Sequence, residues 1–570
     1  MRTRFAASFL FTATLILPAM SSITAAAFAP QQTRGKHVLW SIGKTDGSGA
    51  EFALAPAGYA SFGNDPYFVA GGSDPKREWS YVHPGPDDAW AGRRTHCFDI
   101  VFGVKNRPRA AGTCTLEIAL VDVQARIPPE LKIDLNGHEQ REKLTPGGGD
   151  DSINGKLDHA RRSHLTLSFT TDALRQGVNR LSITTLSGSW LLYDSLEFRA
   201  PESVEATTVG GTLIQGLEIL PGLKEKDGKL WQLARMTVLH LDKPVQATWK
   251  VGAAPPVPLS LQHGYQTVKF ALPEVAKPTV LPYRIEIQGR HVASGEITVK
   301  PQRKLTVYIL PHSHTDIGYT EVQPRIEQKQ VDNLLQGIAY ARQTASYPEG
   351  ARFVWNVEVL WAADLYLHRL NADQRALFMD AVKRGQVSLN GMYLNELTGL
   401  CRPEELLRLF QLATRLSQET GVPIDSAMIS DVPGYTWGTV TAMAHAGIKY
   451  FSTAPNFGDR IGDILVKWEN RPFYWLSPSG KEKVLVWIPL KGYALSHILH
   501  DLSPKFVADY LAQLDKMAYP YDIAYIRWSG HGDNASPDPA ICEFVKQWNA
   551  GHAWPKFKIA STSEAFQAFE

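Results

Sequence analysis

The chain has 570 residues, 44% hydrophobic and 20% charged, with a formal net charge of +2. That length exceeds what one core serves, so about two to four domains are expected, and the composition excludes a disordered or fibrous chain. The near-balanced charge, without a run of Lys and Arg, leaves no footprint for nucleic acid or a membrane surface. The 15 Trp and 20 Tyr suit a protein that lays aromatic faces on sugar rings, although aromatics fill ordinary β cores as well.

At the N-terminus, Arg2 and Arg4 precede an apolar run from Phe5 to Ala19 and then Ala25-Ala26-Ala27-Phe28-Ala29. This order predicts a secretory signal peptide over residues 1–29, cut after Ala27 by the A-x-A rule or after Ala29. A periplasmic or extracellular protein is expected, or one held by an uncleaved anchor. No later stretch is apolar and long enough to span a bilayer. With only Cys97, Cys114, Cys401 and Cys542, disulfides are not the main source of stability. Cys97 and Cys114 fall in neighbouring predicted strands and are read as either a pair or two buried thiols.

Residues 30–203 alternate short β-prone runs with Gly, Pro and Asp clusters. Strands are predicted at His96 to Val104, Thr115 to Val123, Leu131 to Leu135, Ser163 to Phe169, Asn179 to Thr185 and Trp190 to Phe198, an all-β sandwich of jelly-roll type. The segments Trp40-Ser41-Ile42-Gly43-Lys44-Thr45-Asp46-Gly47, Ala50-Glu51-Phe52 and Leu191 to Phe198 resemble the C-terminal jelly-roll domain of rhamnogalacturonan lyases. That resemblance implies a carbohydrate-associated module. Trp79, Tyr81 and Trp90 flank its loops and are read either as a stacking surface or as loop anchors. Residues 204–303 hold a second β-rich stretch of immunoglobulin-like spacing, read as a spacer without chemistry of its own.

After Arg303 the rhythm becomes strand–helix alternation, which predicts an α/β domain over residues 304–570. Seven strands are expected, at Leu305 to Leu310, Arg352 to Asn356, Val387 to Leu389, Ser426 to Ile429, Tyr450 to Ser452, Val484 to Ile488 and Ile523 to Trp528. Helices are expected at Ile326 to Gln343, Glu404 to Thr420 and Trp437 to Ala446. This is the pattern of a seven-stranded, barrel-like α/β catalytic domain, whose reactive residues gather at the C-terminal ends of its strands. Three of those ends carry metal-ligand or carboxylate residues: His312-Ser313-His314-Thr315-Asp316, Ser430-Asp431-Val432-Pro433-Gly434, and Ser529-Gly530-His531-Gly532-Asp533. In an extended chain His312, His314 and Asp316 share one side, which suits two imidazoles and a carboxylate around one ion. Paired carboxylates beside a cation suit hydrolysis of a glycosidic bond.

Val307 to Tyr319 resembles the H-S-H-N-D-P-G-W signature of glycoside hydrolase family 38, the retaining α-mannosidases. The similarity continues in order through Arg352 to Glu358, Gly385-Gln386-Val387, Ser430 to Gly434, Pro472 to Trp475 and Gly530 to Asp533. It implies an enzyme that cleaves α-linked sugars of an oligosaccharide or polysaccharide and uses one zinc ion. His314, Asp316 and Asp431 would be its ligands, and Asp431 also the nucleophile. Asp533 would touch substrate or take part in acid/base work, with Tyr319, Trp355 and His531 against the sugar. His312 would support the loop without binding metal. Thr315, Ile317 and Tyr319 replace Asn, Pro and Trp of the signature, and Asn534-Ala535-Ser536 replaces a glycine-rich tail, so the sugar-selecting pocket is expected to differ. The family's fourth zinc ligand is a His in a helical bundle after the barrel; within this chain His531 is the nearest candidate, a structural or substrate-contacting role being its other reading. A metal-dependent carbohydrate deacetylase and a non-catalytic carbohydrate-binding protein are the alternatives.

Overall fold

The computed structural model describes residues 36–106, 112–455, 467–499 and 502–570, so the expected signal peptide lies outside the described residues. Met1–Gly210 and Gly211–Glu570 form two compact units. Among the described residues no helix is long and apolar enough to cross a membrane.

The first unit is two antiparallel sheets. One holds Lys36–Gly43, Leu191–Pro201, Thr113–Val123 and Ser163–Thr170; the other holds Cys97–Val104, Gly177–Ser187, Glu130–Leu135 and His138–Lys143. Alternating side chains such as Ile100, Leu116, Ile133 and Leu196 fill the space between them. Trp79 and Tyr81 belong to that core at 0% and 3% exposure, and Trp90 packs edge-on against Tyr59 and Phe62. The stacking-surface reading of these three therefore gives way to the loop-anchor one: rings needed to seal a thin sandwich are not left for a ligand. Cys97 and Cys114 are free thiols on different sheets.

Within this core His83 is stacked on Phe98 at 3.6 Å. Its Nδ1 lies 2.8 Å from the Tyr193 hydroxyl and its Nε2 3.1 Å from the His96 carbonyl, a pairing suited to a neutral ring. Burial pushes its pKa down from 6.5 to about 3. The folded state then takes up no proton below pH 6.5 while the unfolded chain does, so stability falls with acidity by about 1.4 kcal/mol per pH unit between those two values. Denaturant titrations from pH 7 to pH 4 are expected to show that slope reduced by about one proton in His83→Gln; an unchanged slope would contradict it.

The second unit begins with a smaller sandwich. Thr212–Lys226, Lys229–His240 and Gly264–Pro273 form one sheet, and Val257–Leu261, Val245–Val251, Thr279–Ile287 and Arg290–Val299 the other, closing on Trp249 and Phe270. At Gly222, whose φ is 95°, the first strand approaches so closely that a Cβ would stand 2.8 Å from the His552 ring. Leu223 N donates to the Trp554 carbonyl (2.7 Å) and Ala553 N to that of Leu223 (2.6 Å).

From Thr306 onward, all seven expected strands form, as Thr306–Pro311, Trp355–Val357, Val387–Leu389, Ser426–Ser430, Tyr450–Ala454, Lys483–Trp487 and Ile523–Trp528. Every hydrogen-bonded pair among these seven is parallel. Two further strands join them: Lys556–Ile559 beside the first, and Phe473–Leu476 antiparallel to Lys483–Trp487. The ladders divide into sheets of three, two and four strands, with a single bridge between His312 and Asn356 linking the first two. The helix Gln323–Gln343 packs Gly337 against the ring of Trp355. The helix expected over Glu404 to Thr420 is two, Pro403–Arg408 and Gln411–Thr420, joined through Leu409 and Phe410, the latter buried at 1% exposure.

Candidate active site and metal centre

The strands Thr306–Pro311, Trp355–Val357, Ser426–Ser430 and Ile523–Trp528 each end in a segment that carries a polar or charged side chain into one cluster, and the segment after Lys483–Trp487 brings Tyr493 beside it. Glu358 is at the centre, wholly buried. It accepts from His312 Nδ1 (2.8 Å), His314 Nδ1 (3.1 Å), Asn395 Nδ2 (2.8 Å), Ser430 Oγ (2.8 Å) and Arg527 Nη2 (3.1 Å). Burial pushes its pKa up, but the His314 charge and the donated hydrogen bonds outweigh it and hold Glu358 well below the usual carboxylate range.

His312 and His314 divide their work around this carboxylate. His312 is pushed down to about 3 by burial and by the Arg527 charge, so its ring is neutral. Its Nδ1 faces Glu358 and its Nε2 accepts from Arg527 Nε at 3.2 Å, leaving neither nitrogen for a metal. It supports the loop, as its place in the signature implies. His314 is likewise 1% exposed, yet its Nε2 has no hydrogen-bond partner among the described residues. That atom lies 3.2 Å from Asp316 Oδ1 without hydrogen-bonding geometry. Burial lowers the His314 pKa, but Glu358 and Asp316 prevail and raise it to about 10.

Ligand atoms of His314, Asp316 and Asp533 lie within 4.8 Å of one another. Two ligands of a tetrahedral zinc, each about 2.0–2.1 Å from the ion, stand about 3.3 Å apart, close to the His314–Asp316 separation. A buried imidazole oriented from behind by a carboxylate at Nδ1, with Nε2 turned toward further carboxylates, is also how metal-binding histidines are held. The residues present therefore fit a zinc ion. Asp431 stands outside this trio, but its charge acts on both Asp533 and Tyr493. Its backbone is left-handed, φ 61°, with its N–H donated to the Ala454 carbonyl at 3.0 Å. Asp533 is shifted upward by burial, against the opposing charge of His314.

Tyr493, 4% exposed, puts its ring 4.7 Å from that of His314. Burial, then the charges of Asp431, Asp533 and Asp316, raise its pKa and keep it a neutral phenol. His531 shares the Asp533 loop, with Nδ1 3.4 Å from the Ser496 carbonyl and Nε2 3.8 Å from Asp538. Tyr319 is 74% exposed, beyond Asp316 on the same loop. Trp355 is not placed for substrate: at 4% exposure its ring lies between Phe353 and Gly337, filling the space under a helix, which corrects the expectation for it.

Sequence reasoning missed Glu358, Arg527, Asn395 and Tyr493. Glu358 and Arg527 did leave a signal, as charges inside the apolar runs Phe353 to Trp361 and Ile523 to Trp528. Asn395 and Tyr493 sit in irregular segments and left none.

Comparison with curated proteins finds no match. Among solved structures, the chain is similar to a glycosyl hydrolase family 38 protein from Enterococcus faecalis (14% identity over 47% of this chain and 28% of that one, TM-score 0.35). It is also similar to an alpha-mannosidase from Enterococcus faecalis V583 (15% identity, 46% and 29%, TM-score 0.37) and to the 4-alpha-glucanotransferase of Thermococcus litoralis (16% identity, 47% and 41%, TM-score 0.33). The chain thus spans less than a third of the two enterococcal proteins. Residues 38–198 match the CBM-like domain III of polysaccharide lyase family 4, and residues 304–570 match the N-terminal domain of the glycosyl hydrolases family 38.

Proposed function

We propose that this chain is a secreted, zinc-dependent glycoside hydrolase that cleaves α-linked sugars with retention, in the manner of an α-mannosidase, on the frame of a barrel-like α/β domain. The observation that carries this reading is the buried Nε2 of His314, 3.2 Å from Asp316 Oδ1 and close to Asp533, with the ring held from behind by Glu358 through Nδ1. His314, Asp316 and Asp431 would hold the ion, with Asp533 within reach of the same atoms. When bound, zinc would supply Lewis-acid stabilisation of charge and a grip on sugar hydroxyls.

The carboxylates carry the chemistry. Asp431 attacks the anomeric carbon as the glycosidic C–O bond breaks and the departing oxygen takes a proton from a neighbouring carboxylic acid. A water then gives its proton back to that group and attacks the same carbon, releasing Asp431, so that two inversions give retention. Asp533 suits the acid/base role because it lies in the same cluster as Asp316 and His314, where burial raises its pKa. Tyr493, a neutral phenol among these carboxylates, offers an O–H to them or to a sugar oxygen.

The test is hydrolysis of a panel of α-mannosides, α-rhamnosides and pectic fragments, with the first-formed anomer followed by NMR. Release of the α-anomer from an α-mannoside, abolished by a chelator and restored by zinc, is expected. Inverted product would remove the covalent step. Glycan binding that survives chelation without turnover on any glycoside would leave a binding protein instead.

A further inference from the structure

Asn534 is one of the residues standing where the family's late loop has glycines, and its contacts cross from the Asp533 loop to the loop that carries His314 and Asp316. Its backbone N–H donates to the His314 carbonyl at 2.8 Å. Its side-chain Oδ1 accepts from Asp316 N (3.3 Å) and Gln330 Nε2 (2.8 Å), while Nδ2 donates to the Asp316 carbonyl (3.0 Å) and to Thr320 Oγ1 (3.1 Å). The side chain is 4% exposed. One residue thus fixes the main chain at His314 and at Asp316, and is covalently next to Asp533.

The clamp has its own support. The helix Gln323–Gln343 buries two amides, Gln330 and Asn333, on the face it turns to these loops. Gln330 holds Asn534 as above, and Asn333 Nδ2 donates to the Ala535 carbonyl (3.0 Å) and lies 3.5 Å from Ser313 Oγ. Behind Asn534 the loop is closed at Gly530, where a Cβ would meet that of Ala535 at 2.7 Å. A buried amide is costly unless its donors and acceptor are used, and both ends of the Asn534 amide are used, mainly on the segment that carries His314 and Asp316. Asn also tolerates the left-handed backbone at this position, φ 53°, as glycine does. Only the amide both accepts from and donates to the main chain of Asp316; glycine does neither, and aspartate lacks the donor.

We propose that Asn534 is a positioning residue that sets the spacing of His314, Asp316 and Asp533 and thereby the affinity of the zinc site. This rests on the zinc-dependent reading above. The experiment compares the full chain with Asn534→Gly, which keeps the backbone conformation, and Asn534→Asp, which keeps the shape but not the donors. Zinc affinity is measured by competition with a chromophoric chelator, beside the melting temperature of the metal-free protein. Outer contacts of this kind change metal affinity by about 10–100-fold, so zinc should bind at least about 10-fold more weakly to both variants. Hydrogen exchange at the Asp316 amide should accelerate in Asn534→Gly. Gln330→Met, remote from the ligands, should weaken binding in the same direction and serves if the Asn534 variants fail to fold. Variants that melt lower but bind zinc within twofold of the parent would overturn the clamp and leave the zinc reading intact. A parent that takes up no zinc would overturn that reading and, with it, this inference.

Discussion

Asparagine in place of Asp431 is expected to reduce turnover of an α-linked glycoside by at least about 10³-fold while the protein stays folded. An amide cannot form the covalent glycosyl intermediate, and the substitution also removes a charged ligand from the proposed zinc site, so both effects lower turnover while the backbone is kept. The hydrogen bond from residue 431 to the Ala454 carbonyl uses the backbone, and Asn accepts a left-handed φ as readily as Asp. Steady-state rates on an aryl glycoside, with circular dichroism and melting temperature as controls, decide the matter. Unchanged turnover would take the nucleophile's role from Asp431.

The second large effect is on stability. Arg527→Met should cost about 3–5 kcal/mol, because it removes a buried guanidinium and its hydrogen bonds and leaves wholly buried Glu358 with His314 as its remaining charged partner. Arg527 is wholly buried and donates to the Ile429 carbonyl (2.8 Å), Ser430 Oγ (2.5 Å), Glu358 (3.1 Å) and His312 (3.2 Å). Burial lowers its pKa against the pull of Glu358, so the pair is held by close geometry rather than by a favourable medium. Glu358→Gln in the Arg527→Met background should recover part of the loss, since it removes a buried charge that has lost one of its two charged partners. Denaturant unfolding of the parent, both single variants and the double variant measures this coupling. A loss below about 1 kcal/mol in Arg527→Met would show that Glu358 does not depend on it.

What the sequence made legible follows from the range of the interactions involved. The strand from Thr306 and the pairing of His314 with Asp316 on one side of the loop are read from neighbours a few positions away, by apolar clustering and parity. Seven parallel strands emerge from the same local signals. The carboxylate that organises the site is Glu358, 44 residues beyond His314, and its other partners lie as far away as Arg527; no local pattern reports such a meeting. Trp355 was misread for a related reason. A tryptophan beside a strand end looks available for a sugar until the helix with Gly337 is seen lying over it. Gln330 and Asn333 break the apolar face of their helix, a signal that acquires meaning only once the Asn534 loop is known to be opposite.

The contact of Leu223 with Ala553 and Trp554 bears on how the second unit behaves mechanically. The connection between its sandwich and its α/β part is braced on both sides: Gln232 donates to the Lys300 carbonyl at 2.5 Å, Lys304 pairs with Glu274 at 3.1 Å, and Arg303 grips the Tyr519 carbonyl at 2.6 Å. The Leu223 bonds add a second tether far along the chain from that connection. Two anchorages at separate points remove the freedom of a hinge. The sandwich is thus a rigid buttress for the segment leading into Lys556–Ile559, the strand paired with Thr306–Pro311 from which the His314 loop emerges.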